Sequence, residues 1–366
     1  MTKNNPTLLV DVGSANVGVA ILETPKEGSP ILSRVRRTAL QNVSGENTAA
    51  IATLALDALK KSLEGLASVS PAPKTAHIVL AAPWYKARIK TINLRSEKPL
   101  RITKETVEKA LRDYRNKQTE PVSAAVRQVE SAVSQTYVNG YPTTLEKPLH
   151  GKTLTANLYE SEADLPFLTG IEEAVRGTFS GIRTTFHSFP FVTFLVLRDL
   201  KDVQSFVIAD IGGEITDLAV ISRDSLSFIG SFPSGTLTLL RALAGKGSAA
   251  DAASRLTLYV QGELSAEEKA SFSSVFEKAV ASWNLEYQKL LEIATLEMPV
   301  SNTVFLFADK EELRWFEQIF TSAKTAFPVR PILVTPDFFQ NAITIGEEGR
   351  YDAFLSIAAL YSSRHG

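Results

Sequence analysis

One short pattern occurs twice in this chain. Asp-(Val/Ile)-Gly-(Ser/Gly), with Ala-(Ile/Val) six residues further on, appears as DVGSANVGVAIL from Asp11 and, 199 residues later, as DIGGEITDLAVI from Asp210. An apolar run precedes each copy, TLLV before Asp11 and SFVIA before Asp210, and a second run follows. Each copy therefore reads as a hairpin: a strand ending in aspartate, a glycine-containing turn, and a strand running back. Backbone N–H groups with no side chain in front of them bind anions. Two such turns facing one another across a cleft can hold the phosphates of a nucleotide. Asp11 and Asp210 would then hold the accompanying magnesium, which keeps much of its water and takes one or two protein carboxylates.

Two lobes also follow from length, since 366 residues exceed what one ordinary core supports. Basic and acidic residues are interspersed and nearly balanced, 39 against 40, which argues against nucleic acid or an anionic membrane surface as a partner. Absence of cysteine excludes disulfides, thiol nucleophiles and cysteine metal sites. His77, His150, His187 and His365 are too scattered to suggest a metal cluster. The N-terminus lacks the charged and apolar regions of a secretory signal. The longest apolar run, near FPFVTFLVL from Phe189, is about half of a spanning helix. These features predict a cytoplasmic protein with no direct membrane insertion.

Along the chain, Ile51, Ala55, Leu59, Leu63 and Leu66 keep to one face of a helix over 48–66. The strand-like AHIVLAAPW follows, and a helix starts at Thr103, whose hydroxyl can cap it. Between Val129 and Tyr159 the pattern alternates, with a turn signal at Asn139-Gly140, which marks a compact α+β insertion in the first lobe. Helical stretches are predicted over 165–176, 236–244, 265–296 and 310–320, and from Asp352 onward. In the long helix Phe272, Phe276, Val280, Trp283 and Tyr287 recur at three- and four-residue steps, the signature of a core stripe.

Two acidic glycine turns about two hundred residues apart, each between strands, resemble the phosphate loops of the actin-like ATPase superfamily. Within it, the likeness is to the FtsA cell-division and PilM pilus-assembly families. HIVLAAPWYKARIKTINL, ITKETVEKAL and VESAVSQTYVNGYPTTLEKPLHGKTLTANLYESE resemble the SHS2-type subdomain inserted in those families, and FIGSFPSGTLTLLRAL and YDAFLSIAAL resemble their later segments. The resemblance implies an α/β, duplicated actin-like (RNase H-like) two-lobe fold. The first lobe would comprise 1–83 and 166–200, the inserted subdomain 84–165, and the second lobe 201–366. Carried over by position, Asp11, Gly13 and Ser14 form the first phosphate loop. Asp210, Gly212, Gly213 and Thr216 form the second, with Thr216 and Asp217 pinning its turn. ATP and Mg2+ are the implied cofactors, with Asp11 and Asp210 the metal residues.

Three departures bear on turnover. Glu214 stands where the second loop has a small residue, and a carboxylate facing polyphosphate is repelled by roughly a kcal/mol or more; pointing to solvent is the other option. Phe189 occupies the place of the Glu or Gln that orients an attacking water, and no Glu or Gln lies between His187 and Asp199. Ala308, Asp309 and Lys310 stand at the turn where glycines let adenosine approach the backbone. Lys310 or Arg314 could contact ribose or phosphate, or simply belong to a solvated helix face. The expected function is an actin-like scaffold, at most a weak ATPase, recruited to the inner face of the membrane through the cytoplasmic tail of a membrane protein of the pilus or division machinery. Self-association is compatible with such a fold. The alternatives are an interaction protein with no nucleotide and a phosphotransferase or phosphohydrolase of the same fold.

Overall fold

The computed structural model describes residues 6–40, 47–117, 124–200, 203–322 and 328–365. The chain opens with the strands β1 (Thr7–Val12), β2 (Asn16–Glu23) and β3 (Ile31–Ala39), then α1 (Thr48–Glu64) and β4 (Thr75–Leu80). An excursion follows through β5 (Lys86–Ile102), α2 (Lys104–Lys117), β6 (Val126–Val138), β7 (Tyr141–Thr143) and β8 (Leu149–Asp164). It returns through α3 (Leu165–Thr178), β9 (Arg183–Ser188) and α4 (Phe189–Leu200). The second half runs β10 (Phe206–Ile211), β11 (Thr216–Ser222), β12 (Ser225–Phe232), α5 (Thr236–Ala244), α6 (Ala249–Gln261), α7 (Ala266–Glu297), β13 (Thr303–Phe307), α8 (Leu313–Ser322) and β14 (Arg330–Leu333). The short β15 (Thr344–Ile345) and α9 (Ala353–His365) end it.

The duplication read from the two aspartate turns extends to whole sheets. One sheet has the order β15-β3-β2-β1-β4-β9 and the other β12-β11-β10-β13-β14. In each, an antiparallel hairpin carries the motif, β1 with β2 and β10 with β11, and its first strand pairs in parallel with the next strand beyond a helix. Strands alternate strictly between two buried faces. Leu8, Val10 and Val12 face α1 and α3 on the outside, while Leu9 faces the centre. In the second sheet Val207 and Ala209 face α5 to α8, and Phe206 and Ile208 face the centre.

Two helices fill the space between the sheets. α4 (FPFVTFLVLRDL) and α9 (AFLSIAALYSSRH) are apolar nearly all round, which suits a helix covered on every side. The last segment differs from the expectation that 201–366 is all second lobe. β15 pairs with β3, and α9 lies against β1, β2 and β4, so residues 344–365 rejoin the first lobe. The reason is the burial α9 demands, which only the space between the sheets supplies. The long stripe of α7 is core, as its spacing predicts: Phe272, Phe276, Val280, Trp283 and Tyr287 are all buried. α6 buries only Ala252 and Leu256 and leaves no comparable signal in the sequence.

The excursion forms a separate sheet, β5-β8-β6-β7, with its own small core around Ile102, Val107, Val138 and Leu154. It is fastened to the first lobe through a buried polar junction. Glu130 on β6 accepts from Ser161 Oγ at 2.9 Å, from Ser188 N at 3.3 Å and also from Ser188 Oγ, while Tyr159 Oη and Ser188 Oγ lie 2.7 Å apart. Removing an acceptor that serves several buried donors leaves them unsatisfied. Glu130→Ala should therefore destabilise the fold by about 2–4 kcal/mol, and Glu130→Gln by less. Urea unfolding will register this as a lower midpoint at unchanged slope.

Candidate functional site

The two motif turns meet at the centre of the molecule. Asp11, Gly13, Ser14, Asp210, Gly212 and Gly213 line one cavity together with Asn16, Arg37, Asp309 and Glu312. Thr216 lies behind the second turn, where its Oγ1 donates to Ser234 O at 2.6 Å and fixes the β11 start to the loop before α5. Asp217, directly across from Asp210 in the second hairpin, accepts from the Tyr85 hydroxyl.

The turns touch directly. Ser14 Oγ accepts from Gly213 N at 3.0 Å and from Glu214 N at 3.4 Å. Gly212 N donates to Ile215 O and Gly13 N to Asn16 O, each at 3.0 Å. The N-terminus of α5 is used in the same way, with Thr236 N on Gly212 O at 2.9 Å and Leu237 N on Gly213 O at 2.7 Å. The glycines permit this closeness. A Cβ at Gly213 would lie 3.0 Å from Ala15 Cβ, and one at Gly235 only 2.3 Å from Gly212 O. What remains between the turns is about 30 Å3, space for a water molecule or two and not for a polyphosphate.

Arg37 closes the same space from the side. In β3, Arg34 and Val35 together oppose Ala20, a bulge with Arg34 at φ 51°, and this sets Val35 against the central core and Arg37 directly across from Gly18. Gly18 is in turn paired with Asp11. The guanidinium crosses the bare glycine: Nη1 donates to Asp11 Oδ2 at 2.8 Å, while Nε and Nη2 grip both oxygens of Asp352 at 2.8 Å. Nη1 also donates to Asn16 Oδ1, and Asn16 Nδ2 continues to Asp309 Oδ2 at 2.7 Å.

Burial dominates the electrostatics. It raises Asp11 to about 6 even though Arg37 pulls the other way, and it pushes Asp210 well above the usual carboxylate range, with Asp217 and Asp11 adding to the shift. Glu312, half-buried and close to Asp309, is raised to about 8 by loss of solvent and by that carboxylate, and accepts from Thr236 Oγ1 at 2.7 Å. Burial opposes ionisation of Asp352 too, but the Arg37 fork and the Leu355 N–H hold it below its ordinary value. The site thus sets one fixed cation against several carboxyl groups whose ionisation burial opposes.

Magnesium and ATP fit these residues poorly. The N–H groups of residues 212–214 are committed inside the protein, Asp11 Oδ2 is committed to Arg37, and the space left between the turns themselves is about 30 Å3, although it opens toward a larger cavity that Asn16, Arg37, Asp309 and Glu312 also line. Among the described residues no three His, Cys, Asp or Glu side chains group so as to hold a metal ion. Glu214 faces neither phosphate nor solvent: its carboxylate is gripped by Arg241, with Nη1 to Oε1 at 2.8 Å and Nη2 to Oε2. Phe189 is fully buried, edge-on to Phe307 at 5.2 Å, and can orient no water. Lys310 lines an adjoining open cavity of about 730 Å3 with Trp315, Arg350 and Tyr351, and Arg314 lies on the exposed face of α8.

Several residues of the site have no role assigned by the motif. Asn16 sits within the first copy, while Arg37, the neighbouring Asp309 and Glu312, and Asp352 come from three other places in the chain. Trp84 and Tyr85 brace the two turns: Trp84 Nε1 donates to Gly13 O at 3.0 Å, and Tyr85 reaches Asp217.

The fold is the duplicated two-lobe fold of the actin-like ATPases. A chain of the "PilM-PilN type IV pilus biogenesis complex" superposes with a TM-score of 0.66 at 15% identity, covering 98% of both chains. The ethanolamine utilization protein EutJ from Carboxydothermus hydrogenoformans gives 0.47 at 12% identity, covering 98% of this chain and 90% of that one, too loose a match to bear on function. No family model and no curated protein matches the chain.

Asp217 provides a pH test of the buried cluster. Burial raises it to about 7 although the Tyr85 hydrogen bond pulls it down. The native state therefore binds more protons than the unfolded chain between about pH 4 and pH 7, and stability falls as pH rises through that window. Asp217→Asn removes this titration. In thermal melts the variant should gain on the wild type steadily from about pH 4 to pH 7, and parallel curves would contradict it.

Proposed function

We propose that this chain is a PilM-type actin-like scaffold that holds a segment of a membrane-protein partner in the groove between its first lobe and the inserted sheet. The groove is the observation that carries this reading. It measures about 540 Å3, with Leu56, Trp84, Tyr85, Pro166 and Phe167 among its apolar lining and Lys86, Glu162 and Asp164 among its charged groups. An apolar lining with a few charged groups suits a short peptide segment. Trp84 stacks on Phe167 at 4.3 Å and is tied to Gly13, so the floor is preformed and little ordering cost attends binding.

The likeness to a chain of a pilus biogenesis complex supports the choice of partner class. No helix of the described residues is long and apolar enough to cross a membrane, and recruitment to the membrane's inner face would come through the partner. In this reading residues 84–165 act as an SHS2-type interaction module, and their separate core supports that role. A buried phenylalanine at 189 speaks against the phosphotransferase alternative.

The test is capture of the cytoplasmic tail of a short membrane protein encoded beside this chain's gene. Thr53 lines the groove from the exposed face of α1. Thr53→Arg should weaken tail binding at least about tenfold in fluorescence polarisation with an unchanged melting midpoint. Equal binding by wild type and variant would remove the groove from the account.

A further inference from the structure

We infer that Arg37 is a built-in cation that takes the place of a metal–nucleotide complex, so that the two lobes are held closed without ATP. Three observations carry this. First, the guanidinium is bonded to Asp11, the carboxylate that ends β1 and is the first-lobe twin of Asp210. A metal ion on Asp11 Oδ2 would press against a guanidinium nitrogen already 2.8 Å away, and on either oxygen it would be repelled by the guanidinium charge, so arginine and metal compete for this carboxylate. Arginine stays charged at any relevant pH, which makes it a permanent counter-ion.

Second, the network spans the molecule. From Arg37 it reaches α9 through both oxygens of Asp352, and through Asn16 it reaches Asp309 at the turn after β13 in the second lobe. Phe354 lies over one face of the guanidinium at 5.3 Å, and the bridge borders the open cavity beside it. Third, the path is cleared by one residue. A Cβ on Gly18 would lie 2.8 Å from Arg37 Nη2 and 3.0 Å from Cζ, so a side chain there would force the guanidinium to shift from its place on Asp11. The direct Ser14 to Gly213 contact completes a closure that needs no phosphate as filler.

The experiment is a thermal-shift series on the full chain, wild type against Arg37→Ala, Arg37→Lys and Gly18→Ala, with MgCl2 alone and with Mg-ATP at millimolar concentration. The wild-type midpoint should not move with either addition. Arg37→Ala should melt several degrees lower and recover part of the loss with MgCl2, because Asp11 is then free to take the ion. Arg37→Lys, which keeps the charge, should lie between the two and respond less. If Arg37→Ala does not fold, Gly18→Ala carries the same expectation of magnesium rescue. Stabilisation of the wild type by Mg-ATP would overturn the inference. So would variants that are destabilised yet indifferent to magnesium, which would make Arg37 an ordinary structural ion pair.

Discussion

A single largely covered guanidinium, gripped by Asp11 on one strand and Asp352 at the start of the last helix, is the contact around which the first lobe's side of the cleft is arranged. Breaking one partner of a buried ion pair leaves an uncompensated charge, which is why such a group constrains everything packed on it. Here it fixes β1, β3 and α9 relative to one another and reaches the second lobe through Asn16 and Asp309. The duplicated hairpins can then meet turn to turn, with backbone donors satisfied by Ser14 Oγ and by neighbouring carbonyls. Such donors would otherwise form an anion cradle.

How far the sequence reveals this depends on the range of the interaction. The hairpins, the α7 stripe and the α5 boundaries are local patterns of period two or 3.6, and they are legible because each buries one face. The internal duplication is legible for the same reason, and it brought Asp11 and Asp210 to one cavity as the motif predicts. The bulge at Arg34 and Val35 is not legible, and without it Arg37 reads as one more solvated residue in RVRR. Asp309 and Asp352 are likewise ordinary turn and cap residues until the fold brings them beside the arginine. Glu214 was readable as a departure from a phosphate loop, but its partner Arg241, on the next helix, was not.

The groove and the cleft are neighbours through two consecutive residues. Trp84 and Tyr85 line the groove, yet Trp84 bonds the first turn at Gly13 and Tyr85 bonds Asp217 behind the second. A partner segment lying on these rings therefore rests on a floor that both lobes support. The rigidity of the closed cleft gives the scaffold reading its physical basis, since a preformed surface binds without first being ordered.

The lobes meet through the protein's own contacts, Ser14 with Gly213 and Asn16 with Asp309. Because the chain contains no cysteine, spin labels can be placed at will, one at exposed Lys60 on α1 and one at exposed Glu277 on α7. Pulsed electron–electron resonance should give one narrow distance distribution, identical with and without Mg-ATP. A broad distribution in the absence of nucleotide that sharpens or shortens when Mg-ATP is added would contradict the account.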